Sequence, residues 1–264
     1  MASNAVGIDI GTGTITVAEV RTGRQAPTIT NFGGIELPEG TVRDGEIVDI
    51  DAAAGCLKEL LGSAKMRTKK VFLGVANQRV VVRQLELPWM PPVELKASLR
   101  YQVQEHLPIA VEDAELDVYV IEEFENEEGE RFQRVLLVAG HRDMVTHHVE
   151  VAQRAGLKPV GVDLHPFAVL RAMGTTSPLE VGNEVVVDIG SGVTDIVVHD
   201  HGVPTFVRIL VLGGNDITDA LAMGLDLPVE EAEIRKRTVR VGDTEGGPAA
   251  AIVTERAERF IDEV

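Results

Sequence analysis

Two stretches of this chain repeat one another. Gly7-Ile8-Asp9-Ile10-Gly11-Thr12-Gly13-Thr14-Ile15-Thr16-Val17 stands near its start, and Val186-Val187-Asp188-Ile189-Gly190-Ser191-Gly192-Val193-Thr194-Asp195-Ile196 stands well past its middle. Each reads apolar strand, Asp-Ile-Gly-[Ser/Thr]-Gly, then a second β-branched strand. A signature repeated roughly 180 residues apart points to two related halves, each opening with a β-hairpin whose turn is rich in glycine and hydroxyls. Two such hairpins facing each other form a clasp for one ligand.

The turn residues indicate its chemistry. Gly11, Gly13, Gly190 and Gly192 let the backbone come close to a bound group and aim successive N–H groups at an anion. Thr12, Thr14, Ser191 and Thr194 add hydroxyl donors. Asp9 and Asp188, at the head of each turn, would repel a bare phosphate. They suit a hydrated Mg²⁺, which keeps its waters and bridges carboxylates to phosphate oxygens. The pair therefore reads as a Mg-nucleotide site, although either turn alone is equally an ordinary tight hairpin. Other nucleotide folds fit worse: there is no G-x-x-x-x-G-K-[ST], and Gly11-Thr12-Gly13 lacks the third glycine of a dinucleotide fingerprint. Gly190-Ser191-Gly192 is not the G-x-S-x-G elbow of a serine hydrolase.

At 264 residues the chain can bury a sizeable core in one large or two moderate domains. A net charge of −17 argues against nucleic acid or an anionic membrane as direct partner and favours a basic one. No apolar run approaches the roughly 18 residues of a membrane span, and Met1-Ala2-Ser3-Asn4 has no secretory pattern. The reading is a cytoplasmic protein without direct membrane insertion. Cys56, the single cysteine, lies in a helical pattern as a reduced side chain.

Along the chain, residues 6–10, 15–20 and 28–37 read as strands. A helix capped by Asp49 or Asp51 runs to Leu61 with Gly62 at its end, and 71–75 reads as a buried strand. A strand at 80–87 breaks at Pro88-Trp89-Met90-Pro91-Pro92. A helix follows over 93–106, with Leu95, Leu99, Val103 and Leu107 in register. Two strands, 116–124 and 132–139, then flank an acidic turn. Asp143 caps a helix to Ala155, closed by Gly156. A strand at 158–163 and a helix at 166–173 lead to the second hairpin and a third strand at 203–211. At Leu212-Gly213-Gly214-Asn215-Asp216 the glycines either bring N–H groups to a phosphate at a helix N-terminus or simply lead the chain into that helix. His147-His148 and His199-Asp200-His201 lack the third ligand a metal site needs.

The two turns resemble the phosphate motifs of the actin, sugar-kinase and Hsp70 superfamily. Further stretches narrow the resemblance: Leu37-Pro38-Glu39-Gly40-Thr41-Val42-Arg43-Asp44-Gly45-Glu46-Ile47-Val48-Asp49, Leu85-Glu86-Leu87-Pro88 with Met90-Pro91, Arg100-Tyr101-Gln102-Val103-Gln104-Glu105-His106-Leu107-Pro108, and Val162-Asp163. These resemble the PilM family, actin-like proteins of type IV pilus assembly related to FtsA.

The resemblance implies an α/β, actin-like (ribonuclease-H-like) ATPase fold of two related halves, with an FtsA/PilM-type inserted subdomain and a truncated second half. The expected divisions are 1–79 for the first half, 80–156 for the β-α-β-β-α insertion, 157–182 for the return and connecting helix, 183–215 for the second half and 216–264 for a helical subdomain. It also implies ATP and Mg²⁺ as ligands, with weak or absent hydrolysis. Glu233 and Lys236 match an A-E-x-x-K helix that contacts adenosine. The implied partners are the N-terminal cytoplasmic tail of a PilN-like inner-membrane protein and other pilus platform proteins, with self-association open. A groove beside the insertion, rimmed by Glu105, Glu112, Asp113, Glu115 and Asp117, would receive a basic tail. Because the chain stops at Val264 inside a helical pattern, the second half is expected to be incomplete, to expose an apolar sheet edge and to bind nucleotide weakly. The alternatives are an FtsA-like division ATPase and a small-molecule kinase, for which Asp163 is the candidate catalytic carboxylate.

Overall fold

A computed structural model describes residues 3–24, 26–176, 182–243 and 246–264. The first half is a five-stranded sheet. Strands β1 (Ser3–Ile10), β2 (Thr14–Thr22) and β3 (Thr28–Glu36) form an antiparallel meander. The short pair β4 (Val42–Arg43) and β5 (Glu46–Ile47) leads to helix α1 (Ile50–Ser63). Strand β6 (Lys70–Val75) then pairs parallel with β1. Alternation along β1 and β2 buries Val6, Ile8, Ile10, Ile15 and Val17 beneath Leu57, Leu60 and Leu61 of α1. Asp49 caps α1, accepting from the Ala52 amide at 2.9 Å, while Asp51 lies in the first turn and pairs with Arg154. Gly62 does not end α1, which runs on to Ser63, and the left-handed residue that follows is Lys65 (φ 54°).

Strand β7 (Val80–Pro88) opens the insertion, followed by helix α2 (Pro92–Val103), two 3-10 turns over Gln104–His106 and Val111–Asp113, and strands β8 (Ala114–Glu125) and β9 (Arg131–His141). The sheet order is β7-β9-β8, with Leu95, Leu99 and Val103 of α2 packed on one face. Helix α3 (Arg142–Arg154) follows β9. Its Val151 and Ala152 lie in the core of the first half with α1, while Met144 and Val145 pack with Val80, Val82 and Val138 of the insertion. Asp143 is not the cap of α3. It sits in the first turn, where its carboxylate takes Arg79 at 2.8 Å, and His141 holds the cap position.

Strand β10 (Lys158–Leu164) returns to the parent sheet beside β6, giving the order β10-β6-β1-β2-β3. Helix α4 (His165–Thr176) connects the halves, and 177–181, within the expected return segment, lie outside the described residues. The second half has β11 (Asn183–Ile189), β12 (Thr194–Asp200) and β13 (Val203–Leu210) as an antiparallel sheet. Strand β11 is one of its two edges and leaves Val185, Val187 and Ile189 exposed at 61, 38 and 57%. Helices α5 (Gly214–Leu225), α6 (Val229–Thr238) and α7 (Gly247–Glu263) form the helical subdomain around Leu221, Ala232 and Val253.

One buried carboxylate fixes the outer strands of the first sheet. Glu19 on β2 is 5% exposed and accepts from Asn31 at 2.6 Å, Thr68 at 2.6 Å and Asn4 at 3.3 Å. The hydrogen bonds from Thr68 and Asn31 hold its pKa below the ordinary glutamate value. A carboxylate with a depressed pKa stabilises the fold above its unfolded pKa, and that contribution is lost as pH falls through the folded value. Glu19→Ala, which strands three donors, should cost about 1–3 kcal/mol at neutral pH. The gap from wild type should close in acid, as read by denaturant unfolding at several pH values.

Candidate nucleotide cleft

The two hairpins are built alike. In the first, the Gly11 amide donates to the Thr14 carbonyl at 2.9 Å; in the second, the Gly190 amide donates to Val193 at 2.9 Å. In the sheet Asp9 pairs with Thr16, and Asp188 with Asp195. The turns meet tip to tip. A Cβ at Gly192 would stand 2.5 Å from Thr12 Oγ1, so only glycine permits that approach. Between them lies a cavity of about 200 Å³, lined by Asp9, Gly11, Thr12, Thr14, Asp188, Gly190, Ser191 and Gly192. Gly13 lies around the corner, in an adjoining cavity of about 410 Å³ that also reaches Asn215 and Asp216.

Two residues that sequence reasoning did not single out complete the cavity, His165 and Asp195. His165 opens α4, and its ring occupies the space left by Gly74, where a Cβ would come within 2.5 Å of the imidazole. Its Nε2 is 3.1 Å from Asp9 Oδ1 and its Nδ1 3.8 Å from Asp195 Oδ2, so one side chain of the connecting helix faces a carboxylate from each half. The Asp9–His165 contact is close but lacks hydrogen-bond alignment. Asp9 Oδ1, His165 Nε2 and Asp195 Oδ1 are all buried without a hydrogen-bond partner. Burial disfavours a charged imidazole, yet the adjacent Asp9, helped by Asp195 and Asp188, outweighs it and raises the His165 pKa. At Asp195 burial pushes the carboxyl up to about 7, against the pull of His165 and with Asp188 and Asp9 adding to the rise.

Other nominated residues serve the walls. Thr194 is fully buried and donates to the Leu212 carbonyl at 2.7 Å, so its hydroxyl does not face the cavity. The Gly213 and Gly214 amides are not free for a phosphate. Gly213 donates to Asp216 Oδ2 at 2.8 Å, and Gly214 donates to the Gly190 carbonyl at 3.0 Å. That loop lashes α5 to the second hairpin, and Gly213 is needed because a Cβ would meet the Gly190 and Ser191 carbonyl oxygens at 2.6 Å. Glu233 and Lys236 are joined at 2.6 Å, and Lys236 Nζ donates to the Gly214 carbonyl at 3.0 Å and to Thr218 Oγ1 at 2.9 Å. Burial opposes charge on Glu233, but Lys236, Thr218 and Arg237 together lower its pKa to about 2. The pair thus clamps α6 onto the start of α5, behind the second turn. Among the described residues, the amides and hydroxyls of Thr12 and Ser191 and the amides of Gly13 and Gly192 make no internal hydrogen bond, which leaves a set of donors at the turns.

A second concave region runs between the insertion and the first half, as two adjoining cavities of about 190 and 320 Å³, the larger reaching Gly202 and Pro204 of the second half. Val80, Val138, Met144, Phe167 and Leu170 supply apolar walls. The acidic rim differs from expectation. Glu115 and Asp117 of β8 and Asp163 of β10 line it, whereas Glu105 and Glu112 do not, because they sit in 3-10 turns before β8. Asp113 borders a separate cavity with Arg79 and His141. Asp163 faces the groove and pairs with Arg171, so it is not a carboxylate of the cleft between the hairpins.

A carboxyl whose folded pKa is raised contributes stability below its unfolded pKa that is lost as pH rises through the folded value. The stability of the chain should therefore fall between about pH 4 and 7 on account of Asp195. Asp195→Asn should flatten that slope and gain on wild type by about 1 kcal/mol or more near neutral pH, as measured by thermal unfolding across the range.

The geometry agrees with comparisons to known proteins. The family model described as "Type IV pilus assembly protein PilM" matches residues 7–245. Cell division protein FtsA of Neisseria meningitidis is 26% identical over 90% of this chain and 62% of its own length, and FtsA of Bacillus subtilis is 25% identical over 88% and 57%. The chain thus spans less than two thirds of these relatives. Among solved structures, a PilM-PilN type IV pilus biogenesis complex superposes with a TM-score of 0.85 at 28% identity, covering 99% of this chain and 75% of that one. MreB5 of Spiroplasma citri bound to ADP, at 14% identity and a TM-score of 0.51 over 98% of this chain and 76% of its own, shows the fold alone. Twin hairpins, an insertion between β6 and β10, and a family match over nearly the whole chain lead to one conclusion: this is an actin-like protein of the PilM family of type IV pilus assembly.

Proposed function

We propose that this chain binds Mg-ATP between its two hairpins and docks the N-terminal cytoplasmic tail of a PilN-like inner-membrane protein, as an assembly protein of the type IV pilus machinery. The observation that carries the nucleotide reading is the meeting of the turns. Unbonded amides and hydroxyls of Thr12 and Ser191 face a cavity whose Asp9 and Asp195 keep buried, unpartnered oxygens. Unbonded donors suit phosphate oxygens and unpartnered carboxylate oxygens suit the waters of a hard cation, so the residues present fit the group. Asp9 and Asp188 would hold Mg²⁺ through water. The ion would neutralise phosphate charge in a cleft that otherwise gathers three carboxylates. Thr12, Gly13, Ser191 and Gly192 would donate to phosphate oxygens, and Glu233 and Lys236 would keep the helical subdomain in place beside the nucleoside. Asp9→Ala and Asp188→Ala should each weaken Mg-ATP binding tenfold or more, about 1.4 kcal/mol, by calorimetry. Unchanged affinity in both variants would sink the cation assignment.

The docking reading rests on the groove beside the insertion and on its charge. Short cytoplasmic tails of proteins that cross the membrane once tend to carry Lys and Arg. Glu115, Asp117 and Asp163 around an apolar floor suit such a tail, with the floor giving specificity and the rim speeding encounter. No helix among the described residues is long and apolar enough to cross a membrane. On this reading the protein is cytoplasmic and reaches the inner membrane through its partner. Asp117→Lys should slow association of a tail peptide about tenfold at low salt and flatten its salt dependence, while Glu112→Lys leaves both near wild type. Stopped-flow titration at two salt concentrations would show it, and equal on-rates for all three proteins would remove the rim from the docking step.

A further inference from the structure

The groove borders two strands that each lack a neighbour. Strand β8 is outermost in β7-β9-β8, and β10 is outermost in the five-stranded sheet. Side chains along a strand alternate between faces, yet Glu115, Leu116, Asp117, Val118 and Tyr119 all line the groove. Consecutive residues share one wall only where the edge of the strand, main chain included, forms it.

Two hydrogen bonds show which main-chain groups point there. The Ala114 carbonyl accepts from Arg142 Nη2 at 3.2 Å, and the Val118 amide donates to Asp117 Oδ1 at 2.9 Å. Neither bond is a ladder bond to β9. In an antiparallel strand the N–H and C=O of one residue point the same way, with a period of two. Ala114, Leu116 and Val118 therefore turn their main chain outward. The Asp117 carboxylate stands on the Val118 amide where the carbonyl of a further strand would stand. The arrangement recurs across the groove, where Asp163 Oδ1 accepts from the Leu164 amide at 3.0 Å.

We propose that the docked tail binds as a fourth strand on the open edge of β8, its carbonyl displacing Asp117 from Val118 and its main chain pairing with Leu116. This rests on the docking reading above and adds to it a mode and a pattern. The bulge between Val120 and Glu122 ends the regular edge, so the added strand runs along Ala114 to Val120. Side chains two residues apart on a strand stand about 7 Å apart on one face. The two cavities adjoin, sharing Asp117, Val138, Asp163 and Phe167. The occupant is therefore an extended segment with apolar residues at alternate positions and a Lys or Arg nearby for the freed Asp117 carboxylate. Main-chain bonds give such a complex its affinity and the alternate pockets its selectivity.

The test uses the whole protein and a synthetic peptide of the PilN-like partner's N-terminal tail, with single N-methyl groups placed on successive peptide amides. Calorimetry should show affinity falling at least tenfold for methylation at every second amide and staying within about twofold for those between. Amide hydrogen exchange at Leu116 and Val118 should slow on binding. If the unmethylated peptide binds but no methyl group changes its affinity by more than about twofold, strand addition is overturned while docking stands, and Asp117 merely guards the edge. If the unmethylated peptide does not bind at all, the docking reading falls and the strand goes with it.

Discussion

Thr12 of the first hairpin rests on Gly192 of the second, and behind that contact the His165 ring lies within 3.8 Å of a carboxylate from each half. Much of the molecule follows from keeping this arrangement in a small volume. Asp9, Asp188 and Asp195 line one cavity of a chain whose net charge is already −17. Burial raises the pKa of Asp195, and the neighbouring Asp188 and Asp9 charges add to the rise. Within the protein the nearest answer to that charge is His165, whose own pKa rises in return. Gly74 in β6 makes room for the ring, and the Gly214 carbonyl, held by Lys236, ties the far wall to α6.

The connecting helix α4 belongs to both concave regions. Its first residue stands in the cleft, and Phe167, Leu170 and Arg171 along the next turns line the groove beside the insertion. The insertion is held to the first half where it departs from it. Arg79 bonds Asp143 of α3 at 2.8 Å, Glu46 of β5 at 3.3 Å and the His141 ring at 3.0 Å. Gln84 of β7 reaches the Thr205 carbonyl of β13 at 3.0 Å, so the insertion also touches the second half. Such a hub of charge-assisted bonds holds a subdomain at a defined angle where an apolar contact alone would let it slide.

The sequence was most legible where local geometry and chemistry coincide. The repeated Asp-Ile-Gly-[Ser/Thr]-Gly turns identified both hairpins, and apolar spacing located α1, α2 and α3 within a few residues. Ends were less legible. Gly62 looked like a helix terminus, but helix packing carried α1 to Ser63 and put the left-handed turn at Lys65. Asp143 looked like a cap until Arg79, 64 residues away in sequence, proved to take its carboxylate. No local rule reports so distant a partner.

Sequence alone determined that two halves present matched glycine- and hydroxyl-rich turns, because a glycine-rich hairpin headed by aspartate is specified by residues adjacent in the chain. Only the tertiary structure decided which groups face the cavity. Thr194 and the Gly214 amide turned inward to bind carbonyls and the Gly213 amide to bind the Asp216 carboxylate, while His165 and Asp195 joined the cleft from the start of α4 and the start of β12. A donor's role depends on what lies opposite it, and for these three the opposite groups are the Leu212 and Gly190 carbonyls and the Asp216 carboxylate, which chain folding brings together within the second half.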